Sequence, residues 1–340
     1  MLSIKKTLLF FLTACLFPVV LYAEMTVANP AALNPKLSVV GTLEADYSND
    51  PANADNARAS VKEIELGLNA DIDPFAKAYV LLSKEGDEFN LEEGFVQVPV
   101  GPFDLQYKLG KFFADFGKLN RLHTHVYPFL TEPLLITHYF GERLADAGVS
   151  ASGLLPLPFF SEWTLQLIND NGTSFSTGDV FPVYVGQWKN FFELTDAIGL
   201  ETGLSLANGH NSTGGNTALT GFYAQLKDKL AANTYWKLHS EYLSSNYDNA
   251  GALVNTNAYF GVLSLCLNRE WEFGSLGETS QSPASTGRDM RLAVFGSFSP
   301  SEFGRYRGQI SQNTDTAGVK TLDVRIQYVF VLGPHAVHPY

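Results

Sequence analysis

The chain has 340 residues, 23 basic against 35 acidic side chains, a formal charge of −12 and only 17% charged residues. The acidic balance excludes a nucleic-acid binder, which needs a basic face. With two cysteines, one of them in the extreme N-terminal region, a small disulfide-stapled fold is excluded as well.

The first element is an export signal. Lys5 and Lys6 precede an apolar run from Thr7 to Tyr22, and the small Ala23 ends it before Glu24. That layout predicts a secretory signal peptide over 1–23. Leu12-Thr13-Ala14-Cys15 also fits a lipoprotein box, but the apolar run continues through Val20, where a lipoprotein turns polar. Residues 24–36 form a short segment, expected in the periplasm, ahead of the first strand. No later stretch reaches the ~18 apolar residues of a membrane helix. A membrane chain of this kind spans as a closed barrel, because lipid leaves backbone groups no other partners.

From Leu37 to the C-terminus about sixteen strand-like stretches follow. Tight junctions alternate with longer polar loops. The tight set is Asp73-Pro74, Gly101-Pro102, Pro156-Leu157-Pro158, Thr195-Asp196, Asp228-Lys229, Asn268-Arg269 and Ser299-Pro300-Ser301. The long set lies near 48–59, 85–89, 113–146, 170–181, 208–216, 247–255, 277–287 and 313–318. This rhythm predicts an all-β fold over 37–340, a transmembrane antiparallel β-barrel with short periplasmic turns, placed in the bacterial outer membrane.

The strands alternate cleanly. Ile64, Leu66, Leu68, Ala70 and Ile72 interleave with Glu63, Glu65, Gly67, Asn69 and Asp71, and Leu322, Val324, Ile326 and Tyr328 with Asp323, Arg325 and Gln327. A soluble sandwich would alternate too. Strands of ~9–13 residues exceed the usual globular length. Aromatics near strand ends (Tyr47, Phe75, Phe103, Phe159, Phe160, Trp188, Phe192, Trp271, Phe303) fit an interfacial girdle. The polar faces assign Glu44, Glu63, Glu65, Asp104, Lys108, Lys237, His239, Glu241, Asp323 and Arg325 to the pore lining, together with Asp46. Acids outnumber bases in that set by seven to four, which predicts modest cation preference.

Segment 113–146 is the exception in length. Phe116, Leu122, Tyr127, Phe129, Leu134, Leu135, Tyr139 and Phe140 make it too apolar for open solvent. A long loop of this kind is usually functional or packed. It is predicted to fold into the lumen as a constriction, with Asp115, Lys118, Arg121, Glu132 and Glu142 as its charged positions. His123, His125 and His138 lie on it, and His-x-His on an extended segment suits Zn²⁺ if a third ligand folds in. The plainer reading is hydrogen bonding within a buried loop. A second pair, His335 and His338, ends the chain.

At these residues the sequence resembles a known family. Gly110-Lys111-Phe112-Phe113, Phe116-Gly117-Lys118-Leu119-Asn120, His123-x-His125 and Pro133-Leu134 carry the likeness. Gly141-Glu142, Asp146-x-Gly148, Leu154-Leu155-Pro156, Pro300-Ser301-Glu302-Phe303 and Gly333-Pro334-His335-x-x-His338 continue it. The family is a group of proteobacterial outer-membrane barrels, often labelled zinc-regulated TonB-dependent outer-membrane receptors. The resemblance implies a porin-like barrel in a Gram-negative outer membrane. A receptor of the TonB type has about 22 strands and a plug, and the 24–36 segment has no room for one.

The expected function is a porin-like channel for small solutes, including cations or metal ions and their chelates, narrowed or gated by 113–146. The alternative is a non-conducting structural or surface-interaction barrel. An enzyme is not expected: Ser240, His239 and Glu241 are adjacent, but alternation puts the serine on the opposite face. Expected partners are outer-membrane lipids, the barrel-assembly machinery and small solutes or ions, with no nucleic acid. Homo-oligomer formation stays open.

Overall fold

The computed structural model describes residues 35–51, 57–169, 172–176, 182–283 and 287–333. The expected signal peptide, residues 24–34 and the pair His335 and His338 lie outside them. Among the described residues sixteen strands run in chain order: β1 Lys36–Ser48, β2 Ala57–Asp71, β3 Lys77–Glu85, β4 Glu88–Val98, β5 Gln106–Phe113, β6 Ala145–Leu154, β7 Phe160–Ile168 and β8 Val183–Glu193. They continue as β9 Ile198–His210, β10 Asn216–Ala231, β11 Thr234–Asn249, β12 Ala252–Cys266, β13 Trp271–Ser280, β14 Asp289–Ser301, β15 Gly304–Thr314 and β16 Lys320–Leu332. Each pairs antiparallel with its neighbour, and β1 closes the ring against β16 from Val39↔Leu332 to Ser48↔Asp323. The predicted closed barrel is therefore observed, sixteen strands around.

Period-two alternation decides which side chains face outward. On β16, Ile326 is 60% exposed while its neighbour Gln327 is 2% exposed. Leu165, Leu206, Leu263, Leu292, Val294 and Ile310 stand exposed on the outer wall. An apolar belt of that extent is built to be covered by an apolar medium. Register shifts interrupt four strand pairs, and two of them leave Lys62 on β2 and Glu92 on β4 without register partners. The second lets consecutive residues approach the lumen: Ser83 Oγ donates to Glu92 at 2.6 Å, and the Phe113 N–H donates to Glu93 at 3.2 Å.

One end of the barrel carries the start of β1 and the end of β16, and is here called the turn end. The opposite loop end carries the long segment. Two predicted junctions shift. Asp228-Lys229 lies within β10 and the turn is Ala232-Asn233, while Ser299-Pro300-Ser301 closes β14 and the turn is Glu302-Phe303. Two predicted loops, 85–89 and 247–255, shrink to the hairpin turns Gly86-Asp87 and Ala250-Gly251, where positive φ angles close the chain. Polar residues there suggested loops, yet they still pair as strand. Alternating contrast in the sequence fades where both faces of a strand meet water.

Phe160 is also reassigned. It shares a face with Glu162, Thr164 and Gln166, so it points into the lumen and is not part of an outer girdle.

Candidate functional site: a loop packed across the lumen

After β5 the chain turns into the barrel and stays there until β6. Its two ends are laced by Asn120, which is fully buried. The Asn120 amide donates to the carbonyls of Ala114 (2.9 Å) and Leu144 (3.0 Å), and its oxygen accepts the Leu144 N–H at 2.8 Å. Between these ends lie short 3-10 turns at Leu119–Arg121 and Thr124–Val126 and one helix, α1, at Leu134–Tyr139.

Apolar packing holds this segment. Phe112, Phe116, Leu119, Tyr127, Phe129, Leu135, Ile136 and Tyr139 form one buried cluster with wall residues such as Leu219, Leu243, Phe260 and Phe295. Phe129 meets Phe260 at 5.4 Å and Tyr127 at 4.8 Å between ring centroids. Gly221 on β10 leaves the space that Phe116 fills: a Cβ there would lie 2.9 Å from the ring. Fully burying each large apolar side chain is worth about 1.5–3 kcal/mol. The loop therefore has a core of its own, shared with the wall.

Polar anchors then fix it around most of the circumference. On β7 Gln166 accepts the Asp115 N–H at 2.8 Å, and its amide donates to the Asp115 carboxylate at 2.7 Å. On β8 Gln187 donates to the Gly117 carbonyl, and on β9 Ser205 accepts the Gly117 N–H. On β11 a single oxygen of Glu241 accepts the N–H groups of Lys118 and Leu119 at 2.9 and 2.8 Å. On β13 Glu278 accepts the Leu134 N–H at 2.7 Å, and on β14 Arg291 donates to both Glu278 and the Glu132 carbonyl. On β15 Arg307 donates to the Tyr127 carbonyl at 2.8 Å, and Gln309 accepts the Leu130 N–H. Buried carbonyl and N–H groups of an irregular segment need such partners.

The expected charged positions of the loop divide. Asp115 pairs with Arg121 at 2.9 Å and Lys118 with Glu201 at 2.9 Å. Burial alone would raise the Asp115 carboxyl, but Arg121, Lys108 and Lys189 outweigh it and hold the carboxyl below its ordinary range. Glu132 pairs with Arg143. Glu142 is exposed, and its carbonyl accepts from Arg143.

The three histidines do not converge. His123 and His125 stack at 5.8 Å and approach one carboxylate oxygen of Glu65, at 3.6 and 3.1 Å. His123 also lies 3.8 Å from Glu93. His138 sits against Ser280 and Asp289 on β13 and β14 instead, at 2.9 and 3.1 Å. Among the described residues no group of three or more His, Cys, Asp or Glu side chains has the geometry of a metal site. The expected zinc ligands are thus corrected to two separate hydrogen-bonding anchors of the loop. Burial disfavours the His123 imidazolium, yet Glu65 and Glu93 more than offset it, and its pKa is pushed up to about 9. Burial lowers His138, with Asp289 opposing.

Nine of the ten expected pore-lining residues face inward: Glu44, Glu63, Glu65, Lys108, Lys237, His239, Glu241, Asp323 and Arg325. Asp104 does not. It lies in a 3-10 turn at the turn end, exposed, with φ of 58°. The expectation missed Lys189, Glu201, Arg291, Arg305 and Arg307, which also line the interior. Arg305, Arg307, Gln309 and Ser311 on β15 alternate with Tyr306, Gly308 and Ile310, so the signal was present there.

Space remains on both sides of the loop. A hollow of about 370 Å³ opens at the loop end between Leu134 and β1, β14, β15 and β16. Another of about 500 Å³ lies beneath Gly117–Leu122 against β7, β8, β9 and β10.

No protein-family model matches the chain. An uncharacterized protein of Aquifex aeolicus is 26% identical over 324 residues, covering 81% of this chain and 69% of that protein. Among solved structures, the anion-selective porin from Comamonas acidovorans superposes with a TM-score of 0.62 at 13% identity, covering 88% of this chain and all of that one. The outer membrane channel DcaP of Acinetobacter baumannii gives 0.58 at 9% identity, with 89% and 99% covered. A trimer form of OmpT, an outer membrane protein of Vibrio cholerae, gives 0.59 at 8% identity, with 88% and 100% covered. The shared feature is the porin-like barrel fold. Nothing in these likenesses supports a zinc-regulated, TonB-dependent receptor, and sixteen strands fall well short of the ~22 of that class.

Proposed function

We propose that this chain is an outer-membrane channel of porin type for small solutes, and that segment 113–146 sets what passes. The observation that carries the reading is the loop itself. It is docked inside a polar-lined closed barrel, with hollows of about 370 and 500 Å³ on its two sides. The loop end faces outward and the turn end faces the periplasm, as short turns do in such barrels. Lipid covers the apolar belt, and the barrel-assembly machinery is the expected route of insertion after export. Assembly into trimers is compatible with this reading, since one structural neighbour has a trimer form.

Ion selectivity is expected to be weak. Asp104 leaves the set read from the sequence, and the further interior cations Lys189, Arg291, Arg305 and Arg307 are matched by the further interior acids Glu162, Glu201, Glu272 and Glu278. Most of these charges also face partners, as Arg305 does Glu272 at 3.0 Å and Arg291 does Glu278 at 2.6 Å. A paired lining offers a passing ion little net field. Reversal potentials in planar bilayers under a salt gradient should lie near zero, and strong preference for either sign would refute this part.

A second reading is a barrel closed by its own loop, with a structural or surface-interaction role. The anchoring of the loop to β7, β8, β9, β11, β13, β14 and β15 favours it. Planar-bilayer recordings separate the two. A channel shows discrete steps, and the closed barrel shows none.

A further inference from the structure

Two aromatic rings on the wall stand partly open to the lumen. Phe160 and Phe191 are register partners on β7 and β8, and both share the inward face, Phe191 with Lys189 and Gln187. They are 44% and 38% exposed, to the lumen and not to the outer belt. The loop, which buries most inward aromatics, leaves these two uncovered. Glycines on β9 keep neighbouring rings close to the wall. A Cβ at Gly199 would lie 2.9 Å from the Phe191 ring, and one at Gly203 would lie 2.0 Å from the Tyr223 ring. Lys189 Nζ stands 5.4 Å from the Phe160 centroid, a cation–π contact.

Polar heads surround the rings in balanced pairs. Lys118 meets Glu201 at 2.9 Å, Arg121 meets Asp115 at 2.9 Å, and Lys189 meets Glu162. The Tyr223 hydroxyl donates to Glu201 at 3.0 Å. Lys118, Glu201, Lys189 and Glu162 each keep about a fifth of the side chain open, at 22%, 22%, 20% and 24%. Lys118, Arg121, Lys189 and Glu201 line the hollow itself, and Asp115 and Glu162 stand behind the two cations they pair, so each cation already has a carboxylate partner. A charged ligand would have to displace a partner already in place. A neutral polyol would not: its hydroxyls accept from the ammonium and guanidinium groups and donate to the carboxylates while each pair stays intact. The apolar C–H face of a sugar ring is the natural complement of an open aromatic surface.

We propose that this hollow is a binding site for a neutral polyhydroxylated ring, a mono- or disaccharide, held on Phe160 and Phe191 beneath the loop. Its volume of about 500 Å³ falls in the ordinary small-molecule range of roughly 300–1,000 Å³. A second hollow of about 320 Å³ shares Phe191 and is lined by Thr195, Asp196 and Ala197 of the β8–β9 turn, which gives an approach from the turn end. The site supplies a solute class for the proposed channel and rests on that reading for passage only, not for binding.

The test is calorimetric titration of the refolded full barrel in detergent with maltose, and in parallel with glucose, citrate and spermidine. Saturable binding of maltose or glucose, with citrate and spermidine weaker, is expected. Phe160→Ala with Phe191→Ala should weaken sugar binding at least tenfold, and the outward-facing Phe192→Ala should leave it unchanged. Phe191→Leu, which keeps bulk and removes the flat ring, replaces the double variant if that one fails to fold. No saturable sugar binding, tighter binding of citrate or spermidine, or indifference to the ring substitutions would each overturn the site. Sugar binding without conductance would keep the site and remove the channel. Conductance without sugar binding would do the reverse.

Discussion

One carboxylate oxygen of Glu241 takes the amide N–H groups of Lys118 and Leu119 and also lies 2.9 Å from His239. Bonds to a charged acceptor contribute about 1.5–3 kcal/mol, against about 0.5–1.5 for a neutral one. Glu241→Gln should therefore cost loop docking about 1–3 kcal/mol. It should appear as faster hydrogen exchange at amides 118 and 119 with the β11 ladder unchanged, and equal exchange would contradict the assignment. His123 gives a pH test. It faces Glu65 and Glu63 on β2, Glu93 on β4, and His125 and Phe113 beside it. Its pKa is raised from 6.5 to about 9, so its stabilising charge is fully present below the unfolded value and is lost as pH rises through about 9. Protease cleavage within the loop should accelerate as pH climbs through that window, and His123→Gln should flatten the step. A pH-independent rate in the unaltered chain would contradict this role.

The loop as an element was largely legible in the sequence, and its partners were not. Phe116, Tyr127, Phe129 and Phe140 announce a buried segment because water cannot solvate so many rings in one connection. Which wall residues receive it depends on register and on bulges such as the one at Glu92, which no single strand's pattern reveals. Ligation at His138 failed for that reason: sequence proximity to His123 and His125 says nothing about which side of a sixteen-stranded ring each reaches. Asp104 failed differently, because a 3-10 turn ended the alternation that had assigned it inward. Arg307 was readable on β15, though its target was not. It reaches the Tyr127 carbonyl at 2.8 Å and those of His125 and Phe129 at 3.4 Å, so Arg307→Met should leave three loop carbonyls without this donor. Increased current noise in bilayer recordings is the expected result, with barrel content unchanged by circular dichroism. Noise equal to that of the unaltered chain would argue that the loop is held elsewhere.

At the scale of the whole molecule, the wall and the loop have different tasks. The wall follows from alternation and closure: every strand has two partners, and the outer face carries a belt of exposed large apolar side chains. That regularity makes about sixteen strands readable in the sequence, while turn positions differ by a few residues where polar strand ends meet water. The loop brings an apolar core into a polar interior and leaves a hollow on each side of it. Single-channel conductance of the refolded barrel, with and without residues 117–140, tests this division most directly. Small discrete steps that grow when the segment is deleted are the expected result. Steps of equal size in both forms, or no conductance in either, would contradict it.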